Sequence, residues 1–96
     1  MRKYEIMYIL KADLEEAARK EVMDKLAAII IDNGGKVENT DESMGLRELA
    51  YPIKDQTKGY YVVLKVSMDN VAINEFSRLV HINPSVLRHL IVVEHK

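Results

Sequence analysis

Pro52 closes a run that otherwise reads as a β-strand, Gly45-Leu-Arg-Glu-Leu-Ala-Tyr-Pro-Ile53, and it limits where that run can lie. Proline has no backbone N–H to offer a neighbouring strand, so the segment belongs at a sheet edge, a strand end or a turn. Leu46, Leu49, Tyr51 and Ile53 are large apolar or aromatic residues, with Arg47 and Glu48 side by side among them. An edge strand carrying adjacent opposite charges is either protected from indiscriminate pairing or shaped to be recognised.

The rest of the chain supplies the sheet to which such an edge attaches. From Arg2 to Leu10, the even positions Tyr4, Ile6, Tyr8 and Leu10 make one apolar face at period two. The other face, Lys3, Glu5, Met7 and Ile9, turns from polar to apolar, as expected of a central strand with one half-polar side. Helical spacing follows from Leu14 to Asn33, with Ala18, Val22, Leu26, Ile29 and Ile30 on one stripe. Asp13 and Glu16 are spaced as a capping box, and Asn33-Gly34-Gly35 supplies a left-handed stop.

Lys36 to about Ala50 reads as extended, polar in its middle, with Gly45 marking a bulge or bend. Lys54 to Gly59 reads as a turn, and Tyr60 to Met68 as the strongest strand. Tyr60, Val62, Leu64, Val66 and Met68 share one of its faces; Tyr61, Val63, Lys65 and Ser67 share the other. Asp69 or Asn70 can cap a second helix with Ala72, Phe76, Leu79 and Val80 inward, ended by Asn83-Pro84. A last strand from Ser85 to His95 is apolar on both faces, Val86, Leu90 and Val92 against Leu87, Ile91 and Val93.

The order β-α-β-β-α-β predicts an α+β, ferredoxin-like fold: a four-stranded antiparallel sheet, first and third strands central, both helices on one face. The opposite face is then solvated or bound. Met7, Ile9, Tyr61 and Val63 fall on it and can form an apolar patch of the kind that marks a partner surface.

Ninety-six residues, 48% apolar and 30% charged, are expected to form one globular domain spanning residues 1–96. No apolar run reaches the ~18–20 residues of a membrane span, and the start lacks the apolar core of a secretion signal. The absence of cysteine rules out a disulfide framework and a thiol nucleophile, and suits a cytosolic protein. A formal net charge of −1 argues against a strong free-standing nucleic-acid binder.

Catalytic and metal chemistry find little to work with. His81, His89 and His95 contain no i, i+4 pair and have no cysteine beside them. Ser43, Ser67, Ser77 and Ser85 lack a nucleophile-elbow context, and Asp41 and Glu42, adjacent on a strand, point to opposite faces. The chain is expected to be no enzyme, with no metal and no cofactor. Lys58-Gly59-Tyr60-Tyr61-Val62-Val63 partly matches the RNA-recognition-motif octapeptide, but Tyr61, Val62 and Lys65 depart from it, so its stacking platform is incomplete. The cations Arg2, Lys3, Arg47, Arg88 and Lys96 do not cluster in sequence; in the proposed sheet Arg2 could lie near the strand that carries Arg88.

Five blocks carry a resemblance: Met1-Arg-Lys-Tyr-Glu5, Gly34-Gly-Lys-Val-Glu38, Gly45 through Ile53, Gly59-Tyr-Tyr61 and Asn83-Pro-Ser-Val-Leu-Arg88. Together, in this order, they closely resemble the bacterial ribosomal protein S6 family of the small subunit. The resemblance covers essentially the whole chain, and its length implies a member without a long acidic C-terminal tail. It implies a ferredoxin-like structural and assembly protein of the cytoplasmic ribosome, without membrane attachment or a small-molecule substrate. Such a protein pairs with ribosomal protein S18, and the heterodimer docks on the central domain of 16S ribosomal RNA. A net charge near zero suffices if the basic partner supplies much of the phosphate attraction.

The resemblance assigns partner binding to Leu46, Arg47, Leu49 and Tyr51; Glu48, within the same edge, is expected to join them, beside the open-face residues Met7, Ile9, Tyr61 and Val63. Arg2, Lys3 and Arg88 are its RNA-contact candidates, whereas Tyr4 falls on the core face. Met44, Glu48 and Glu94 depart from the residue types frequent in the family, Glu48 reversing the charge beside Arg47. A ferredoxin-like regulatory domain that binds a small molecule or self-associates through its sheet is the alternative.

Overall fold

The computed structural model describes residues 2–93. Glu94, His95 and Lys96, including the expected end of the last strand at His95, lie outside the described residues, as does Met1. The elements run β1 (Arg2–Lys11), α1 (Glu16–Asp32), β2 (Lys36–Ile53), β3 (Gln56–Met68), α2 (Asn70–Ile82) and β4 (Val86–Val93). They build one antiparallel sheet in the order β2-β3-β1-β4, with β1 and β3 central as the periodicity predicts. Pro52 stands near the end of β2, an edge strand, where its missing donor costs no ladder bond to a further strand.

The even face of β1 and β3 forms the core against the helices. Ile6, Tyr8, Leu10, Val62 and Val66 are fully buried beneath Ile30 of α1 and Phe76 of α2. Burial of each such side chain contributes roughly 1.5–3 kcal/mol, which makes this layer the main source of stability. Helix α1 ends as Asn33-Gly34-Gly35 predicts. Gly34 adopts φ +84°, its N–H donates to the Ile31 carbonyl, and the Gly35 N–H donates to the Ile30 carbonyl. The two bonds close a Schellman motif that an L-residue at position 34 would strain.

Three local expectations are corrected. The N-cap of α1 is Glu15 rather than Asp13, and no side chain caps the helix, because the chain leaves β1 through a turn that consumes Ala12 and Asp13. The hairpin turn is two residues, Lys54 and Asp55, with φ of 49° and 65°, and β3 begins at Gln56 rather than Tyr60. Two consecutive positive φ values match the right-handed twist of hairpin strands, which lets pairing run to the tip. In β4, an irregularity opposite Ile9 and Leu10 puts Val86 and Leu87 both inside, so Val86 pairs with Leu10 while Leu90 pairs with Met7 on the other face.

Candidate functional site

Among the described residues no helix covers the odd face of the sheet, and the register divides that face in two. Nearest the start of β1, Lys3 stands opposite Ser67 and Glu5 opposite Lys65 on one side and Val92 on the other. The Ser67 hydroxyl donates to Glu38 at 3.1 Å, extending this polar half onto β2. Towards the end of β1 the face turns apolar, with Met7 between Val63 and Leu90, and Ile9 between Tyr61 and Arg88. Met7, Ile9, Tyr61, Arg88, His89 and Leu90 line a shallow concavity of about 270 Å³. Leu90 remains 54% exposed and Val92 45%. Water is a poor solvent for such an exposed apolar patch.

The β2–β3 hairpin curls over this end. In a flat sheet β2 and β4 would stand three strand spacings apart, about 14 Å. Yet Arg88 donates from Nη1 to the Tyr51 hydroxyl, and Lys54 Nζ at the tip donates to the Val86 carbonyl at 3.2 Å. Gly59 is the pivot. A Cβ there would overlap Cγ2 of Ile9 and lie 3.3 Å from Cδ2 of Leu49, so Ile9 and Leu49 fill the space above its backbone.

The expected partner residues thus separate into three groups. Met7, Tyr61 and Val63 are half-buried members of the apolar patch. Ile9 is on the expected face but only 7% exposed, because Gly59, diagonal to it on β3, lets it sink under the hairpin. Arg47 pairs with Gly59 and shares the open face, as do Leu49 and Tyr51 by their contacts. Leu46 pairs with Tyr60, and Glu48 with Lys58, so both project towards the helix side at the sheet edge. The charge pair Arg47–Glu48 is therefore split between two faces. Arg47 is tethered by its Nε bond to the Met44 carbonyl at 2.9 Å.

The expected RNA residues do not come together. Arg2 pairs with Met68 at one end of β1, while Arg88 pairs with Ile9 seven residues along the same strand. At ~3.3 Å per residue the two cations are about 23 Å apart, because β4 runs antiparallel to β1 and starts at the far end. Arg2 instead lines an open hollow with Tyr4, Met68, Asp69, Asn70 and Val71. The structure adds residues the sequence reading did not single out. Leu90 and Val92 extend the apolar patch, and Lys11 and Lys54 stand near Arg88. Lys11 continues the odd face of β1, a signal visible in sequence; only the hairpin's curl brings Lys54 close.

The RNA-recognition-motif match fails in three dimensions. Tyr60 faces the helices, where the Arg19 guanidinium lies 4.1 Å from its ring centroid and its hydroxyl donates to Glu42 at 3.0 Å. Burial and that carboxylate together raise its pKa above the ordinary tyrosine value. His89, paired with Tyr8 across β1, is pushed below the usual histidine range, first by burial and then by the charge of His81. Among the described residues no cluster of His, Cys, Asp and Glu could hold a metal, and no helix is long and apolar enough to cross a membrane.

The comparison with solved structures gives the same architecture. The crystal structure of 30S ribosomal protein S6 from Thermotoga maritima superposes with a TM-score of 0.89 at 26% identity, covering 97% of this chain and 87% of that one. A family model described as ribosomal protein S6 matches residues 3–93, a span that includes the curled hairpin and every strand of the open face. A match over nearly the whole length, in sequence and in fold, places this chain in the ribosomal protein S6 family.

Proposed function

We propose that the chain is a structural, non-catalytic constituent of the small ribosomal subunit in the cytoplasm, and that it folds and acts as one domain over residues 1–96. It pairs with ribosomal protein S18, and the pair binds the central domain of 16S ribosomal RNA. The observation that carries this reading is the uncovered sheet face, apolar at one end and polar at the other, bordered by a charged edge strand. Met7, Tyr61, Val63, Leu90 and Val92 offer the apolar centre of a protein interface; Leu46, Arg47, Glu48, Leu49 and Tyr51 offer its polar rim. Ile9 supports that surface from beneath rather than adding area. Arg88 at one end, and Arg2 and Lys3 at the other, make separate phosphate contacts. With a net charge of −1 the chain depends on a basic partner for most of the phosphate attraction.

Filter binding to the central rRNA domain, with and without S18, tests the reading. The mixture is expected to bind well above the sum of the two separate proteins. Equal binding by this chain alone would remove the heterodimer. Leu90→Lys should abolish the gain by placing a charge in the apolar centre while leaving the fold intact, because Leu90 is more than half exposed. A concentration-dependent dimer of the chain without S18, lost in the same variant, would favour self-association through the sheet instead.

A further inference from the structure

Lys11, Lys54 and Arg88 are far apart in sequence and meet around the first residues of β4. The Lys11 backbone N–H donates to the Ser85 carbonyl at 3.0 Å, and Lys54 Nζ donates to the carbonyl of the next residue, Val86. Arg88 follows two residues later, its guanidinium held by the Tyr51 hydroxyl. Lys11 pairs with Gly59 and Arg88 with Ile9, so both project from the open face at its hairpin end. We propose that this hairpin end, with Lys11, Lys54 and Arg88, is the principal RNA-backbone site of the chain, and that the cations Arg2 and Lys3 at the opposite end contribute less.

Three features support that ranking. The hairpin-end cations come from three separate segments, and two of them are held in place, Lys54 by the Val86 carbonyl and Arg88 by the Tyr51 hydroxyl, so these two lose less side-chain freedom on binding a phosphate. Arg2 and Lys3 are adjacent on one strand, project to opposite faces and cannot address the same phosphate row. The hairpin end also abuts the apolar concavity, since Arg88 lines it. RNA crossing there meets this chain and a docked protein along one seam, whereas RNA at the Arg2 end would meet this chain beside the polar half of the face. Asp55, beside Lys54 in the turn, is the opposing charge at this end.

The inference rests on the reading of the chain as an RNA-binding partner of S18, and the test separates the two. RNA affinity and its salt dependence are measured for the S18 mixture, and S18 affinity is measured separately without RNA. Lys11→Ala/Lys54→Ala should lower RNA affinity about tenfold, the scale of two surface ion pairs, with a salt slope shallower by roughly 0.7–0.9 per cation. Affinity for S18 should stay within about twofold of the unsubstituted chain. Lys54→Arg should preserve binding, and Asp55→Asn, which keeps a residue suited to positive φ, should strengthen it. Arg2→Ala/Lys3→Ala should cost less than the hairpin-end pair. A larger loss from Arg2→Ala/Lys3→Ala, or unchanged RNA affinity in Lys11→Ala/Lys54→Ala, overturns the proposal while leaving the heterodimer reading standing. Failure of the unsubstituted mixture to bind RNA removes both.

Discussion

Ile9 fills the space that a side chain at position 59 would need. A Cβ on Gly59 would overlap Ile9 Cγ2, with Leu49 Cδ2 at 3.3 Å on the other side, so the missing side chain of one residue is the binding slot of the other. This contact converts an exposed position on the open face into a buried one and lets the hairpin fold down towards β4. Gly59→Ala is expected to destabilise the protein by about 1–3 kcal/mol, the usual cost of overpacking, with the midpoint falling by roughly 4–8 °C per kcal/mol. Urea and thermal unfolding measure it. In a double-mutant cycle with Ile9→Ala, which removes the clashing Cγ2, the two losses should sum to more than the double variant shows. Strict additivity would mean the two residues do not share the slot.

Tyr51 and Lys54 hold the hairpin to β4 through exposed or half-exposed bonds, whose contribution to global stability is small. Tyr51→Phe should therefore change the midpoint by less than about 0.5 kcal/mol. Hydrogen exchange at the hairpin tip should rise nonetheless, because local opening no longer breaks the Arg88 contact. Unchanged exchange in Tyr51→Phe would show that the curl is fixed by Gly59 and Ile9 alone.

Arg47 lies exposed on β2, bonded within its own strand to the Met44 carbonyl. Arg47→Glu should weaken association with S18 while leaving the thermal midpoint almost unchanged, since an exposed strand charge contributes little to folding. Calorimetric titration and a thermal scan measure the two effects independently. A large fall in midpoint would assign Arg47 to the fold rather than the interface.

Stability should depend on pH through His89. Its folded-state pKa is lowered by burial and by His81, so below the ordinary value of about 6.5 the unfolded chain binds more protons than the folded one. Stability is then highest above that value and declines as pH falls from neutrality through the depressed folded pKa, where the loss levels off. His89→Gln should flatten the midpoint between pH 7 and 5. A slope identical to that of the unsubstituted chain would assign the dependence to other groups.

Tyr8 is fully buried and its hydroxyl has no hydrogen-bond partner among the described residues. A buried hydroxyl without a partner is a cost rather than a gain, so Tyr8→Phe should hold stability or raise it by about 1 kcal/mol. A loss of that size in urea unfolding would show that the hydroxyl is bonded in solution.

Much of the architecture was legible because two periodicities and a few stop signals leave few ways to arrange the elements. The even face of β1 and β3, the stripes of both helices, the Gly34 stop and the edge position of β2 follow from residue type and spacing, which act over a few neighbours. The capping box failed because a turn at Ala12 and Asp13 delayed the helix, and the six-residue turn failed because positive φ at Lys54 and Asp55 carried pairing to the tip. By itself the sequence determined the element order, the core face, the family blocks and the existence of a half-apolar open face. Only the tertiary structure decided that Ile9 sinks against Gly59, and that Arg88 meets Tyr51 and lies far from Arg2. Those outcomes depend on register, strand direction and the hairpin's curl. They join residues tens of positions apart, beyond the reach of any local pattern.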